Sequence, residues 1–386
     1  MKATFKNVGS SAVNLLVPFL NRIDIQPMGH DLSTPCFNSK CEFESESHET
    51  IKSFRRRSWA PKARGMLSDE EIPILLRRSY VKHGYRPLNR PLCYYFGSAF
   101  SWHNELINFW THLIPLIGLY VFYILPELAS ERPRAIVLFA HIGVSCLFLC
   151  SAVTHLMHSR SPIDHIFWLL IDFSGIAMFS LSVGVTRFSC RPYNSPLFAS
   201  FYVPTLAAII LLQYLSTCGF FVLRPFWKTR HMIRIMSCGA VAFWIYIPLY
   251  DRYLVSGLIQ AFAAGNGSSI YQSAENDISL VIHNRGFQWL MLAAFFMGVN
   301  FPESCAPGRF DLIGYGHQLF HLCITCVTWC VCETAHVDCA VRASGPPGLW
   351  NDPMIKPLLY VLCTALLTCF VSVTVFLNEA RKKKLH

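Results

Sequence analysis

Charge is scarce in this sequence. Asp, Glu, Lys and Arg make up 15% of the 386 residues, against about a quarter in a soluble globular chain, which excludes an ordinary water-soluble domain. Also absent is the apolar/polar alternation that a transmembrane β-barrel needs. The apolar residues, 53% of the chain, lie in continuous runs, with the charges between them or at the ends. There is no recognisable cleavable leader either: "AVNLLVPFL" is short, is interrupted by Asn14 and Pro18, and lacks a clear cleavage site. The first spanning helix is therefore expected to direct insertion.

The apolar runs predict an all-α integral membrane protein with eight spanning helices, at about 106–125, 134–157, 164–186, 197–223, 232–250, 286–301, 314–333 and 355–377. The sixth is the shortest. The organisation expected is a disordered basic arm over 1–65, an amphipathic juxtamembrane segment over 66–100, a helical bundle over 101–378 and a basic tail over 379–386. The arm is rich in Ser, Pro and charge. Its Arg55–Arg57 run before Ser58 reads first as a solvated basic patch near anionic lipid, and second as a kinase site. In the juxtamembrane segment, Ser68 reads as a helix cap. Ile72, Ile74, Leu75, Leu76 and Tyr80 follow as the apolar side of a short helix lying on the membrane face.

An even number of crossings puts both termini on one side. Lys82, Arg86 and Arg90 precede the first helix and Arg381–Lys384 follow the last, so that side is expected to be the cytoplasm. The short loops between do not discriminate. The longest loop, about 251–285, has no Lys or Arg between Leu254 and Asn284 and carries the sequon Asn266-Gly267-Ser268, which suits an outer face. "DRY" at Asp251–Tyr253 falls on that outer side and reads as a chance triplet.

A polar residue inside a span costs about 2–3 kcal/mol or more at mid-membrane, so it should be paired, near an end or functional. Four sets stand out. Glu105, Asn108 and His112 share a face at the start of the first helix. Ser151 and His155 close the second, Asp172 lies in the third, and His317 and His321 open the seventh within "GYGHQLFH". The alternating direction of the helices brings all four to the cytoplasmic leaflet. Three neutral imidazoles, His155, His317 and His321, with a fourth position left open are the donor set of a catalytic zinc site. Asp172 then reads as a general base beside the metal rather than a fourth ligand, with Ser151 near it. The competing reading is a polar cluster that closes helix contacts by hydrogen bonding alone.

These segments resemble a known family. "HNELINFWTHL" at His103–Leu113, "SAVTH" with "DFSGIA" seventeen residues after His155, and "GHQLFH" are similar to the signature segments of the progestin and adipoQ receptor family. "GYRP" at Gly84–Pro87, "FPE" at Phe301–Glu303, "PG" at Pro307–Gly308 and Gly316 before "HQLFH" resemble its membrane progestin receptor branch. The resemblance implies zinc on His155, His317 and His321 with Asp172 nearby, a lipophilic steroid ligand, and a place in the cell membrane among its lipids. A G protein or cytoplasmic adaptor would be the signalling partner; no nucleic acid is expected. An alternative is a zinc-dependent amidohydrolase acting on a lipid amide such as ceramide, whose product is the signal. The sixteen cysteines lie mostly within spans and read as small packing residues. Of the rest, Cys36 and Cys41 fall in the reducing cytoplasmic arm. Cys190 and Cys339 sit in outer loops and are the one pair to test for a disulfide.

Overall fold

The computed structural model describes residues 65–190, 196–226, 229–250, 277–340 and 348–383. The basic arm, "DRY", the sequon at Asn266 and the end of the tail from Lys384 lie outside the described residues. Eight long helices follow one another. They are α1 Leu106–Ala129, α2 Ala135–Met157, α3 Pro162–Ser189, α4 Pro196–Leu223, α5 Arg230–Tyr250, α6 Ile278–Val299, α7 Gly316–Asp338 and α8 Ile355–Lys382. In α1 the ladder widens into a π turn at Tyr120–Ile124, just before Pro126, which has no N–H to donate.

Seven of these helices, all but α6, are long and apolar enough to cross a membrane, and the chain is a multi-pass membrane protein. The expected sixth crossing, the run 286–301, does form a helix, but it begins eight residues earlier, and His283, Asn284, Arg285 and Gln288 keep it below that apolar standard. The reason lies in a cap and in partners on α7. Asp277 caps α6 through the Ser279 amide at 3.0 Å, the Ser279 hydroxyl donates to Asp338 at 2.6 Å, and His283 Nε2 lies 3.0 Å from the same carboxylate. Partners on α7 let polar residues stay helical where an apolar count would stop.

α3 is central: it packs on α2, α4, α5 and α8, while α7 closes against α1, α2 and α6. Only 17% of the most apolar window of α8 is buried, so that helix is peripheral. The α2–α3 turn is tight because "SPID" starts α3 at once. Ser161 Oγ accepts from the Asp164 amide at 3.2 Å, and Pro162 occupies the first turn, where no N–H is needed. At the other end of the bundle a disulfide joins Cys190, directly after α3, to Cys339, directly after α7, with 4.8 Å between Cα atoms.

The amphipathic helix expected before the bundle is not formed. Pro73 and the left-handed backbone at Tyr80 break the segment into short 3₁₀ turns, Asp69–Glu71 and Ile74–Leu76. A two-stranded sheet, β1 Leu67–Ser68 with β2 His83–Tyr85, ties its ends together. Ile72, Leu76, Val81 and Tyr85 are buried in a cluster with Tyr315, at the foot of α7. Two of the five side chains read as membrane-facing, Ile72 and Leu76, are thus in the core of a small cap. Asp311 fastens it by accepting the amides of Lys82 and His83, each at 2.9 Å. Gly84 has φ +90°, and a Cβ there would meet Leu312 at 2.5 Å, which explains the glycine of "GYRP".

Candidate metal centre

The end of the bundle beneath this cap gathers the histidines. His155 is two residues from the end of α2, and His317 and His321 are the second and sixth residues of α7. The two on α7 share a face and meet His155 across the α2–α7 contact. One nitrogen from each of the three lies within 4.8 Å of the others. His155 Nε2 and His317 Nε2 are 3.4 Å apart. Two nitrogens bound to one tetrahedral zinc at about 2.0–2.1 Å are separated by about 3.4 Å, so this pair already has the spacing that a shared ion requires.

The remaining ring nitrogens are held from behind. His155 Nδ1 is 2.7 Å from Glu105 Oε2, and His321 Nδ1 is 3.2 Å from both the Asn108 carbonyl and Thr111 Oγ1. A carboxylate or a backbone carbonyl on one nitrogen sets the tautomer and turns the other nitrogen toward the metal. His112 stacks on His321 with centroids 3.8 Å apart and planes 6° from parallel, fixing the rotation of that ring, and neither of its own nitrogens has a hydrogen-bond partner.

Glu105 is the hub. Its carboxylate accepts from Asn108 at 2.5 Å and from Arg78 at 3.2 Å, besides facing His155. Burial alone would raise its pKa; Arg78 and the imidazoles of His155 and His158 outweigh that and hold it well below the usual carboxylate range. It is therefore ionised. Arg86, fully buried, closes the end of α2. Its two terminal nitrogens donate to the carbonyls of Leu156 and His155 at 2.6 and 2.8 Å, and to Ser98 and Ser159 at 2.9 and 2.6 Å. Burial pushes its pKa down to about 10, which still leaves a cation on the carbonyl end of the helix.

α7 is fixed just as closely. Its first amide, Gly316 N–H, donates to Glu303 at 2.6 Å. A Cβ on Gly316 would lie 2.8 Å from the Phe301 carbonyl and 3.0 Å from that of Phe296. Larger residues at this position would push α7, and with it His317, off the bundle. Tyr315 accepts from Asn108 at 2.5 Å and donates to the Asn104 carbonyl at 2.9 Å, linking α7 to the start of α1.

Asp172, read as a base rather than a ligand, lies outside the three-histidine group, and its carboxylate neighbours Ser151. α3 begins at Pro162, so Asp172 is about 15 Å along it, whereas His321 is about 8 Å into α7. The Ser151–Asp172 pair thus forms a polar layer one turn deeper than His155. Several residues at the site were not among those expected there. Arg78, Arg86 and His158 converge on Glu105 or on the His155 carbonyl, and Tyr315 meets Asn108 beside them. The signal was present in "GYRP" and in "HLMHS", where His158 follows His155 by three residues, but Arg86 looks from sequence like any juxtamembrane charge.

Residues 100–332 match the family model described as haemolysin-III related. Mouse membrane progestin receptor alpha is 30% identical over 329 residues, which cover 82% of this chain and 89% of that protein. Mouse membrane progestin receptor beta is 26% identical over 290 residues, 72% of this chain and 77% of that one. Zebrafish membrane progestin receptor alpha-B is 26% identical over 317 residues, 79% and 85% of the two chains.

Proposed function

The chain belongs to the haemolysin-III related family, and from that membership we propose that it is a membrane receptor for a lipophilic steroid of the progestin class, with a zinc ion held by His155, His317 and His321. The observation that carries the ligand class is the similarity to membrane progestin receptor alpha along 82% of the chain. The geometry that supports zinc is the convergence of three buried or half-buried imidazoles, two of them held at the far nitrogen by Glu105 and the Asn108 carbonyl. The receptor lies in the cell membrane, takes its ligand from the lipid between helices, and passes the signal to a G protein or adaptor in the cytoplasm. Purified chain in lipid nanodiscs should bind labelled progesterone saturably and release it to unlabelled progestin. A folded, metal-loaded protein with only non-saturable uptake would overturn the steroid reading.

In the orientation we propose, both termini and the metal centre are cytoplasmic, and α6 is an eighth crossing sheltered by α7. The Cys190–Cys339 disulfide supports it, since such bonds persist in an oxidising compartment. His317 lies at the opposite end of α7 from Cys339, about 33 Å away along the helix. Tags at both termini should react with antibody only after cells are permeabilised, and Asn266 should carry glycan. An N-terminal tag accessible on intact cells would invert the arrangement.

A second reading, amide hydrolysis, is favoured by the Ser151–Asp172 pair, with Ser151 one turn deeper on α2 than His155. When bound, zinc would supply a Lewis acid and a lowered pKa for water. The protein's own part would be to hold the lipid amide in the bundle and to take up a proton at the Asp172 carboxylate, which Ser151 orients.

A further inference from the structure

His155 has a second neighbourhood on its other side. One ligand atom each of Glu105, His155 and His158 lies within 4.8 Å of the others, and all three residues are buried. His158 Nε2 faces Glu105 Oε1 at 3.7 Å, too far for a hydrogen bond but close to the roughly 3.4 Å between two donors on one tetrahedral ion. The opposite nitrogen, His158 Nδ1, is 3.0 Å from His165 Nδ1. Side-chain exposure rises from 4% at His155 to 9% at His158, and His165 is half-buried. A narrow cleft with room for about one water lies here between the cap and the bundle: Ile72, Leu76, Tyr85 and Leu88 line the cap side, Glu105 and His158 the bundle side, and Arg86 also borders it.

We propose that Glu105, His155 and His158 form a second cation position, a loading site through which zinc passes from the cleft to the three-histidine centre, with His165 as the outermost donor. The proposal rests on the zinc reading of that centre. Four donors in a row, each within reach of the next, give an ion a partner at every stage of desolvation. A bare divalent ion would otherwise cross a buried region at prohibitive cost. The loading site is built to release rather than to keep. The Arg78 guanidinium is 3.2 Å from the same Glu105 oxygen, and the other Glu105 oxygen is engaged with His155 Nδ1 at 2.7 Å. An ion there must compete with both, and with the charge of an ion already on the far nitrogen of His155. Occupancy is therefore brief, and the three-imidazole centre is where the metal resides.

The test uses the full chain in nanodiscs, stripped with a chelator and mixed with cobalt(II) or zinc(II) alone, with uptake followed by stopped flow and final metal content by mass spectrometry. His158→Gln and His165→Gln should each slow loading about tenfold or more, the scale on which residues around metal ligands usually act. Final content should stay at that of the unaltered chain. Should His158→Gln misfold, His165→Gln, half-buried and outside the three-histidine group, carries the same comparison. Loading at the unaltered rate in a folded variant overturns the proposal while leaving the zinc centre standing. A final content as low as that of a His155 variant also overturns it, by making His158 a resident ligand. If the unaltered chain takes up no metal, the zinc reading and the loading site fall together.

Discussion

Replacing His317 and His321 together by alanine should abolish metal binding, taking the purified chain from about one zinc to none. Both residues sit on the first two turns of α7, and with them goes every nitrogen that α7 offers to His155. Two of three protein ligands cannot be lost from a site of this kind without losing the ion. Glu105→Ala supplies a graded companion. It leaves all three imidazoles but frees His155 Nδ1, and should weaken affinity about 10–100-fold. That variant also strands Arg78, so its folding must be followed by thermal unfolding beside the metal measurement. Metal analysis of the intact chain decides the matter. An absence of bound transition metal in folded protein would leave the histidines as a hydrogen-bonded helix contact, and the hydrolytic reading would go with the zinc.

Asp172→Asn separates ligand binding from chemistry. The substitution keeps the size of the side chain and its place beside Ser151 but removes the charge and the base. Loss of a group that moves a proton typically costs about 10²–10⁴ in rate, so turnover of a fluorescent ceramide should fall by that factor. A steroid gains its affinity chiefly from buried apolar area, and progesterone binding should stay within about threefold. Zinc content should be unchanged, since Asp172 lies outside the three-histidine group. Signalling that persists without hydrolysis leaves a receptor with a structural metal; signalling lost while steroid still binds makes hydrolysis the signal. Loss of steroid binding in a folded, zinc-loaded variant would mean that the ligand contacts Asp172 itself.

Much of the bundle was legible because membrane helices announce themselves through composition. All eight apolar runs occur as helices, most within a few residues of their expected limits, from Leu106 in α1 to Ile355 in α8. The start of α6 was not legible, because Ser279 and His283 are tolerated only through Asp338, 55 to 59 residues away. The cap was misread for a related reason. Ile72 and Leu76 have the spacing of an amphipathic helix, but the surface that buries them includes Tyr315, some 240 positions further on. Depth along a helix was estimated well enough to bring the three histidines together. Asp172, expected eight residues past the start of its helix, stands ten past it because α3 begins at Pro162.

By itself, then, the sequence determined that this is a helical membrane protein, where its helices run, and which four of them carry polar groups at one end. Those properties follow from local composition and from the 1.5 Å rise of a helix, which need no knowledge of neighbours. Only the tertiary structure decided that Glu105 reaches His155, that Arg86 closes α2 from a segment 70 residues earlier, that Cys190 meets Cys339, and that His158 and His165 extend the imidazole row toward a cleft. Apart from the approach of His158 to His165, seven residues on, each of those is a contact between groups far apart in the chain. Their energies depend on distance and burial, and neither exists until the helices have packed.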